Sequence, residues 1–242
     1  MTTLFISDLH LDERHPDISE HFYTFLETEA IKAEALYILG DLFESWIGDD
    51  DPNTHYKKIK ESLKNVVNSG IPIFFMHGNR DFLIGHQFAQ ETGVQLLKDP
   101  HIMTLNGFKI LLSHGDIYCT NDQQYQQKRE VTRSSKWKSE ILQKTLKERR
   151  IIAEQARLES LEHNKIISEE ISDVTHSEIE QAFQNSGVQI MIHGHTHRPK
   201  IHSLIVNNKN VKRVVLGDWY DQGSMVKFNE HGPDLITLER KI

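Results

Sequence analysis

The stretch Ile190-Met191-Ile192-His193-Gly194-His195-Thr196-His197 runs from apolar residues directly into a glycine flanked by three histidines. The apolar run predicts a buried strand, with the histidines at its carboxyl end. His195 and His197 are two positions apart, so their side chains point the same way if the backbone stays extended. Such a pair suits a metal ion, but it also occurs by chance on protein surfaces. The rest of the chain has to supply further ligands.

A short apolar strand that ends in polar residues recurs along the chain. Such strands are predicted at residues 4–7, 35–39, 71–76, 108–112, 188–192 and 211–216. Helices are predicted between several of them, at residues 18–32, 56–68 and 175–185, and this alternation indicates an α/β fold. Because polar sites collect at the carboxyl ends of strands in such sheets, we expect the polar clusters to meet at one edge.

Seven side chains in these clusters carry carboxylate, imidazole or amide groups: Asp8, His10, Asp41, Asn79, His114, His195 and His197. The set contains no thiolate, so it suits a hard or borderline ion such as Mn²⁺ better than a structural zinc. Seven ligands are too many for one tetrahedral ion. They are appropriate for two ions about 3.5 to 4 Å apart, the arrangement that stabilises both the attacking and the leaving oxygen of a phosphoryl displacement. Asp41 is the candidate bridging ligand.

Length and composition allow one large domain with an insertion, since the chain has 242 residues and 38% hydrophobic residues. The single cysteine, Cys119, cannot form an intramolecular disulfide and is predicted to be a small buried or half-buried side chain. We find no secretory segment and no apolar run of about 20 residues, so we expect a cytosolic or peripheral protein. The net charge of -7 argues against a nucleic-acid partner.

A basic segment interrupts this acidic chain between Asp122 and Lys165, with 11 Lys and Arg against 7 Asp and Glu. It lacks Gly and Pro and has apolar residues at helical spacing, which predicts consecutive amphipathic helices. One interpretation is a solvated helical face. The other is a cap that faces the substrate or a membrane. We favour the cap because the segment interrupts an otherwise regular pattern of strands.

Taken together, the polar clusters resemble the signature of the calcineurin-like metallophosphoesterases. Five blocks carry the resemblance: Asp8-x-His10, Gly40-Asp41, Gly78-Asn79-Arg80-Asp81, His114-Gly115-Asp116 and Gly194-His195-Thr196-His197. It implies an α/β fold of the four-layer, α+β type, in which a sandwich of two β-sheets is flanked by helices, and two Mn²⁺ ions at the strand ends. It assigns one ion to Asp8, His10, Asp41 and His197, and the other to Asp41, Asn79, His114 and His195.

Arg80 departs from the superfamily pattern, in which a histidine at this position gives a proton to an alkoxide leaving group. Arginine cannot usefully give up a proton. The position therefore favours a leaving group that is already a stable anion, such as a phosphate released from a pyrophosphate, whose charge a guanidinium would stabilise. The alternative is that Arg80 only forms an ion pair with Asp81.

Longer matches narrow the resemblance to the UDP-2,3-diacylglucosamine diphosphatases, a family of lipid A biosynthesis. They cover residues 7–11, 37–50, 77–83, 193–199, 215–219 and 223–226. Such enzymes cut the pyrophosphate of UDP-2,3-diacylglucosamine into UMP and 2,3-diacylglucosamine 1-phosphate, known as lipid X. The resemblance implies the same activity here, in a protein of the cytoplasm bound peripherally to the cytoplasmic side of the bacterial inner membrane. We expect no nucleic-acid partner and no obligate protein partner.

The family also has a helical lid, which implies a core of residues 1–121 and 173–242 and an insertion of residues 122–172. By position, substrate binding is assigned to Asn79, Arg80, Asp122, Arg157, Ser160, Asn164 and His195. Close relatives usually have lysine at position 167, where this chain has Ile167. Either the helix register differs, or Lys165 takes over the contact. The apolar residues Trp46, Phe82, Ile141 and Ile152 line an acyl pocket in one interpretation and pack in the core in the other.

The resulting hypothesis is that hydroxide held by two Mn²⁺ ions attacks the α-phosphorus in line, with Asp41, Arg80 and His195 as the catalytic residues. One alternative is a Mn²⁺-dependent pyrophosphatase or phosphodiesterase that acts on another nucleotide. Another is a non-catalytic scaffold, which would be expected to lack ligands.

We interpret the run from Asp49 to Asp51 as a solvated loop and His163 as a surface or core residue.

Overall fold

Two sheets form the centre of the computed structural model, which describes residues 2–166 and 171–239. Their strands are β1 Thr3–Ile6, β2 Ala35–Ile38, β3 Ile73–Met76, β4 Gln95–Leu97, β5 His101–Leu105, β6 Phe108–Leu112, β7 Ile190–His193, β8 Lys200–Val206, β9 Lys209–Val215, β10 Gly223–Asn229 and β11 Gly232–Leu238. The first sheet has the order β11-β10-β1-β2-β3-β4, and the second has the order β5-β6-β7-β9-β8. The six strands predicted from the sequence are confirmed as β1, β2, β3, β6, β7 and β9.

Helices cover the outer faces of both sheets and fill a long connection after β6. They are α1 Pro16–Thr28, α2 Thr54–Asn68, α3 His86–Thr92, α4 Gln123–Arg133, α5 Ser135–Leu142, α6 Leu146–Ile166 and α7 His176–Ser186, with short 3₁₀ helices at Ala30–Lys32 and Asp116–Tyr118. The three helical segments predicted outside the basic stretch are confirmed as α1 with its following 3₁₀ turn, α2 and α7. α2 begins after Asn53, whose side chain accepts hydrogen bonds from two backbone amides of the first turn.

Alternating side chains along the strands divide the core into layers. In β1, Leu4 and Ile6 pack in the cluster that includes residues of α1 and α2, while Phe5 lies between the sheets. In β7, Ile192 lies between the sheets, and Met191 packs on the opposite face with residues of α7. The order of layers is therefore helix, sheet, sheet, helix, which confirms the predicted four-layer architecture.

The polar clusters lie where the two sheets meet. In the first sheet β1, β2 and β3 are parallel, and in the second β6, β7 and β9 are parallel. A backbone hydrogen bond of 3.1 Å from Asp8 to Gly40 joins the ends of β1 and β2. Another of 2.9 Å, from Gly194 to His114, joins the ends of β7 and β6. The prediction of one common edge is thus met by two sheets, each of which contributes three strand ends.

Helices α4, α5 and α6 form the predicted amphipathic segment, and arginines of α6 attach it to the loop after β2. Arg149 is only 4% exposed and donates hydrogen bonds to the Ile47 carbonyl at 2.8 Å and to Asp50 Oδ1 at 2.7 Å. Arg150 donates to Asp51 Oδ1 at 2.7 Å. The prediction of a solvated loop from Asp49 to Asp51 is confirmed only in part: the Asp50 side chain is 57% exposed, but two of the three carboxylates neutralise guanidinium groups about 100 positions away in the sequence.

Asp49, the first residue of the same run, has different partners from those of Asp50 and Asp51. Its carboxylate accepts hydrogen bonds from the backbone amides of Gly85 and Phe88 at the start of α3, and from Trp46 Nε1 at 3.0 Å. The loop after β2 is consequently held both to the core and to α6. Such pairings depend on residues that only the fold brings close, so the local composition could not predict them.

Cys119 is buried, as predicted. Burial raises the pKa of its thiol to about 12, with nearby carboxylates including Asp116 and Asp173 adding to the shift. The thiol is therefore protonated at neutral pH and a poor nucleophile. Across residues 2–166 and 171–239, no helix combines the length and the apolar character needed to cross a bilayer.

Candidate active site

Five of the seven predicted ligands have left-handed backbone conformations directly after their strands. The φ angles are 58° at Asp8, 52° at His10, 52° at Asp41, 68° at His195 and 55° at His197. Each such conformation costs a non-glycine residue roughly 1 to 2 kcal/mol. The backbone therefore does not stay extended after β7, so the condition under which His195 and His197 would point the same way is not met. Their rings instead contact different groups of residues.

Hydrogen bonds from backbone amides to buried carboxylates hold these turns in place. Asp8 Oδ2 accepts from the His195 amide at 2.9 Å, and Asp41 Oδ1 accepts from the Arg80 amide at 2.7 Å. Asp81 accepts from two amides, those of Gly78 and Leu42, each at 2.8 Å. Because both Asp81 oxygens face the backbone, the alternative in which Arg80 only pairs with Asp81 is not supported.

The first predicted ligand group gathers around the ends of β1 and β7. His10 Nε2 and His197 Nε2 lie 3.3 Å apart, and Asp8 Oδ1 lies 3.3 Å from His197 Nε2. Asp41 Oδ2 is 4.0 Å from His10 Nε2. Three side chains of this group therefore present their donor atoms to one small volume.

The second predicted group centres on Asn79. Its Oδ1 lies 2.9 Å from His114 Nε2 and 2.8 Å from His195 Nδ1. Asp41 Oδ2 is 3.8 Å from His114 Nε2. The same Asp41 oxygen thus faces both groups, as a bridging ligand would.

The donor atoms fit two metal ions. Ligands bound to one ion at about 2.0 to 2.2 Å lie roughly 3 to 3.5 Å from one another. The donor atoms of Asp8, His10 and His197 all lie within 4.8 Å of one another, as do those of Asp8, Asp41 and His114. The buried Asp8 Oδ1 accepts no hydrogen bond from the described residues. A cation in this position would satisfy that oxygen and separate the facing imidazole nitrogens.

Electrostatics around the site split the histidines into two types. Burial opposes charge on His197 and His114, but Asp8 raises the pKa of His197 to about 10 and Asp41 raises that of His114 to about 9. Burial, aided by the His114 charge, lowers the pKa of His195 to about 3. His195 is therefore a neutral lone-pair donor, whereas a divalent cation would have to displace protons from His114 and His197.

Two carboxylates that were not among the predicted site residues lie against two of the candidate histidine ligands. Glu44 Oε2 lies 3.2 Å from His10 Nδ1, and Asp218 Oδ2 lies 3.2 Å from His197 Nδ1. A carboxylate behind a metal-binding histidine selects its tautomer and raises its basicity. Asp218 is the second residue after the strand predicted at residues 211–216, and Glu44 lies three residues after Asp41. Their positions in the sequence were signals that they belong to the site.

A cavity of about 1260 Å³ opens from the ligand groups and runs beneath α4, α5 and α6. Its wall includes the four apolar residues of the predicted acyl pocket, namely Trp46, Phe82, Ile141 and Ile152. It also includes five of the predicted substrate-binding residues besides His195: Asn79, Arg80, Asp122, Arg157 and Ser160. The fold therefore brings residues from both sheets and from the basic segment to one cavity.

Several predicted substrate-binding residues have protein partners. Arg157 Nε donates to Glu44 Oε1 at 2.6 Å, so it contacts the carboxylate behind His10. Asp122 caps the first turn of α4 and lies 2.6 Å from His163 Nε2. His163 also lines the cavity, so the structure places this histidine beside a predicted substrate-binding residue. The sequence could not reveal its partner, which lies 41 positions away.

The end of α6 lies next to position 167, where this chain has isoleucine in place of the lysine that is usual in close relatives. Lys165 is exposed in its last turn. The side chain of Asn164 and all of Ile167 lie outside the residues that the structure describes. Substrate contacts by Asn164, Lys165 and Ile167 remain predictions.

The arrangement can be compared with known proteins. Residues 1–199 match the sequence profile of the calcineurin-like phosphoesterases. A UDP-2,3-diacylglucosamine hydrolase from Stenotrophomonas maltophilia strain K279a is 45% identical over 100% of both chains. The chain is a calcineurin-like phosphoesterase of the UDP-2,3-diacylglucosamine hydrolase family. Another family member, from Serratia proteamaculans strain 568, is 47% identical over 98% of this chain and 99% of its own.

The calcineurin-like fold is also seen in solved structures. A novel archaeal phosphodiesterase, characterised structurally and functionally, superposes with a TM-score of 0.50 over 98% of this chain and 100% of its own. The two share only 13% identity, so this likeness concerns the fold alone.

In this calcineurin-like phosphoesterase, one face of α4 docks onto the fourth signature block, His114-Gly115-Asp116. Asp116 is fully buried, and its Oδ2 lies 3.0 Å from the Tyr125 hydroxyl, 2.8 Å from Arg129 Nε and 3.3 Å from Arg133. Tyr125 also packs against the His195 ring, with 5.6 Å between centroids. Residues 125, 129 and 133 have the four-residue spacing of one helix face, a signal that was present in the sequence.

Gly194 provides a test of the close packing at this metal centre. An alanine Cβ at Gly194 would collide with Asp8 Oδ2 and Ser7 Oγ. We expect Gly194→Ala to weaken Mn²⁺ binding more than about 10-fold, because it displaces the Asp8 carboxylate. Isothermal titration of Mn²⁺ into the purified protein measures this affinity.

Gly70→Ala is the matched control. Gly70 has a φ of +97° and no atom within 4 Å of a built Cβ, so the substitution strains the backbone without touching the site. It should cost roughly 1 kcal/mol of stability and leave Mn²⁺ affinity unchanged. Equal Mn²⁺ affinities for Gly194→Ala and the unmodified protein would contradict the proposed role of Asp8.

Proposed function

We propose that this chain hydrolyses the pyrophosphate bond of UDP-2,3-diacylglucosamine to UMP and 2,3-diacylglucosamine 1-phosphate, as a step of lipid A biosynthesis. One observation carries the proposal: the two ligand groups open directly into a large, partly apolar cavity beneath the basic helices. Hydrolases of that name are 45% and 47% identical to this chain over nearly their whole length. A pyrophosphate with a bulky lipid on one side matches both parts of this arrangement.

The seven predicted ligands would hold two divalent cations, and we propose Mn²⁺ because the donors are oxygen and imidazole nitrogen. Asp8, His10 and His197 would hold one ion, and Asn79, His114 and His195 the other, with Asp41 shared. When bound, such ions neutralise charge on the phosphoryl oxygens and lower the pKa of water. Glu44 and Asp218 would keep His10 and His197 in the orientation needed for binding.

Arg80 supports a phosphate leaving group. Its side chain lines the cavity, and its buried Nε has no hydrogen-bond partner among the described residues. The guanidinium stays protonated throughout the reaction and donates hydrogen bonds to oxygen anions. Arg80 would therefore stabilise the developing charge on the β-phosphate, and no protein acid would be needed to protonate it.

The cavity supports an acylated substrate. Its volume of about 1260 Å³ exceeds the 300 to 1,000 Å³ that is usual for small-molecule sites. Trp46, Phe82, Ile141 and Ile152 would contact the acyl chains, while Asp122, Arg157 and Ser160 would contact the sugar phosphate. We propose that residues 122–172 act as the lid of this cavity and that residues 1–121 and 173–242 form the catalytic core.

The acyl chains provide the sharpest test of this function. We expect Mn²⁺-dependent release of UMP from UDP-2,3-diacylglucosamine, with kcat/KM at least about 100-fold above that for the deacylated UDP-sugar, because the sugar without its chains leaves the cavity empty.

Asp8→Ala, His10→Ala and Asp41→Ala should each reduce turnover by more than about 100-fold. Phosphate analysis of the products measures both the preference for the acylated substrate and the loss of turnover in the variants.

Equal turnover of the two substrates would favour the alternative of a general nucleotide pyrophosphatase. Full activity of any one of the three ligand variants would contradict the metal assignment. Ile205→Ser serves as a control, because Ile205 is 72% exposed on β8, away from the ligand groups.

The direction of attack can be tested with ¹⁸O-labelled water. We propose that a water oxygen bonds to the α-phosphorus while the bridging oxygen leaves with the β-phosphate. Mass spectrometry should then find the label in UMP. A label in 2,3-diacylglucosamine 1-phosphate would show attack at the β-phosphorus and exclude the proposed direction.

We further propose that the protein works at the surface of the bacterial inner membrane, on the cytoplasmic leaflet, where an acylated substrate would reside. Helices α4, α5 and α6 expose Val131, Leu142, Ile151, Leu158 and Leu161 among their basic residues. Each Lys or Arg close to an anionic bilayer contributes about 1 kcal/mol. Apolar and basic residues on one segment suit peripheral binding.

Sedimentation with vesicles containing 30% anionic lipid tests the membrane proposal. We expect binding that falls at least about 5-fold in 0.5 M salt, because salt screens the basic residues. The pair Val131→Ser and Leu158→Ser should also weaken it, whereas Ile205→Ser should not. Binding unaffected by salt and by the paired substitution would contradict the assignment of this surface.

A further inference from the structure

The loop between β9 and β10 places an exposed aromatic ring beside the first ligand group. Tyr220 is 43% exposed, and it is the one exposed aromatic residue within residues 2–166 and 171–239. Its ring lies parallel to that of His10, with 5.5 Å between centroids and 6° between planes. The His197 ring is 6.5 Å away. Tyr220 therefore borders the place where the phosphates of a substrate would bind.

The loop holds Tyr220 in a defined position. The Tyr220 amide donates to Asp218 Oδ1 at 3.2 Å, while Asp218 Oδ2 lies 3.2 Å from His197 Nδ1. The preceding residue, Trp219, is fully buried against aromatic residues of α1. An exposed ring on an anchored loop loses little conformational freedom when a ligand stacks on it.

The proposed substrate has two halves that extend in different directions from the scissile bond. The cavity beneath the lid suits the acylated half, and its described wall includes His10 and His197 but not Tyr220. Tyr220 thus flanks the same histidines outside the cavity wall. The nucleoside half, which has no acyl chain to bury, would extend toward this open side.

We propose that Tyr220 forms the stacking platform for the uracil ring of the substrate, an inference that rests on the proposed function. A planar nucleobase and an exposed aromatic ring stack favourably, and this contact changes affinity by about 5- to 150-fold. Offset stacking with centroids 4.5 to 7 Å apart needs only the ring, not the tyrosine hydroxyl. The platform binds the nucleotide half through its base, whereas the metal centre binds it through its phosphate.

Two ligands separate these contributions: UMP, which has the base, and ribose 5-phosphate, which lacks it. Isothermal titration of each into the Mn²⁺-loaded protein should show tighter binding of UMP. Tyr220→Ala should lower UMP affinity roughly 10-fold and leave ribose 5-phosphate affinity unchanged, because only the base contact is lost. Tyr220→Phe, which keeps the ring, should retain the affinity for UMP.

Three outcomes would overturn the platform. UMP and ribose 5-phosphate could bind equally well to the unmodified protein, Tyr220→Ala could leave UMP affinity unchanged, or it could weaken both ligands equally through His10. The assay does not depend on turnover of the lipid. Base-dependent binding through Tyr220 in a protein that fails to hydrolyse UDP-2,3-diacylglucosamine would sustain the platform and refute only the proposed function.

Discussion

The candidate site depends on left-handed backbone turns at the ends of parallel strands. Asp8, His10, Asp41, His195 and His197 all adopt this unfavourable conformation. It persists because buried carboxylates accept hydrogen bonds from backbone amides of neighbouring turns, as Asp8 does from His195. The strand pairing and the turns stabilise each other, so the backbone itself holds the donor atoms close together. Such preorganisation reduces the cost of assembling a centre from strand ends distant in sequence.

Charge pairing explains why a basic segment lies on an acidic chain. The guanidinium groups of Arg129, Arg149 and Arg157 contact carboxylates of the core, two of which, Asp116 and Glu44, are buried beside the histidine ligands. The same contacts that attach the helices therefore also constrain residues next to the metal centre. The helices α4 and α6 therefore contribute to the electrostatics of the site, since Asp116 acts on His195 and Glu44 lies against both His10 and Arg157.

Much of this architecture could be predicted from periodicity and from the residues that follow each strand. The six strands, the helices between them and the seven candidate ligands all appear as local patterns. The carboxylates behind the histidines were harder to predict, since Asp218 and Glu44 become relevant only when β9 and β2 lie beside β7 and β1. The same holds for Asp50 and His163, whose partners are far away in sequence. Local composition indicated a solvated loop and an ordinary histidine because it contains no record of long-range pairs.

The sequence by itself determined the alternation of strands and helices and the chemistry of the ligand set. These follow from residue type and spacing, which are local properties. Residue spacing alone did not determine where His195 and His197 point, and the tertiary structure shows that left-handed turns direct their rings to different groups of residues. It also decided which carboxylates are paired and that the cavity lies beneath the basic helices, since packing of distant segments determines both burial and charge neutralisation.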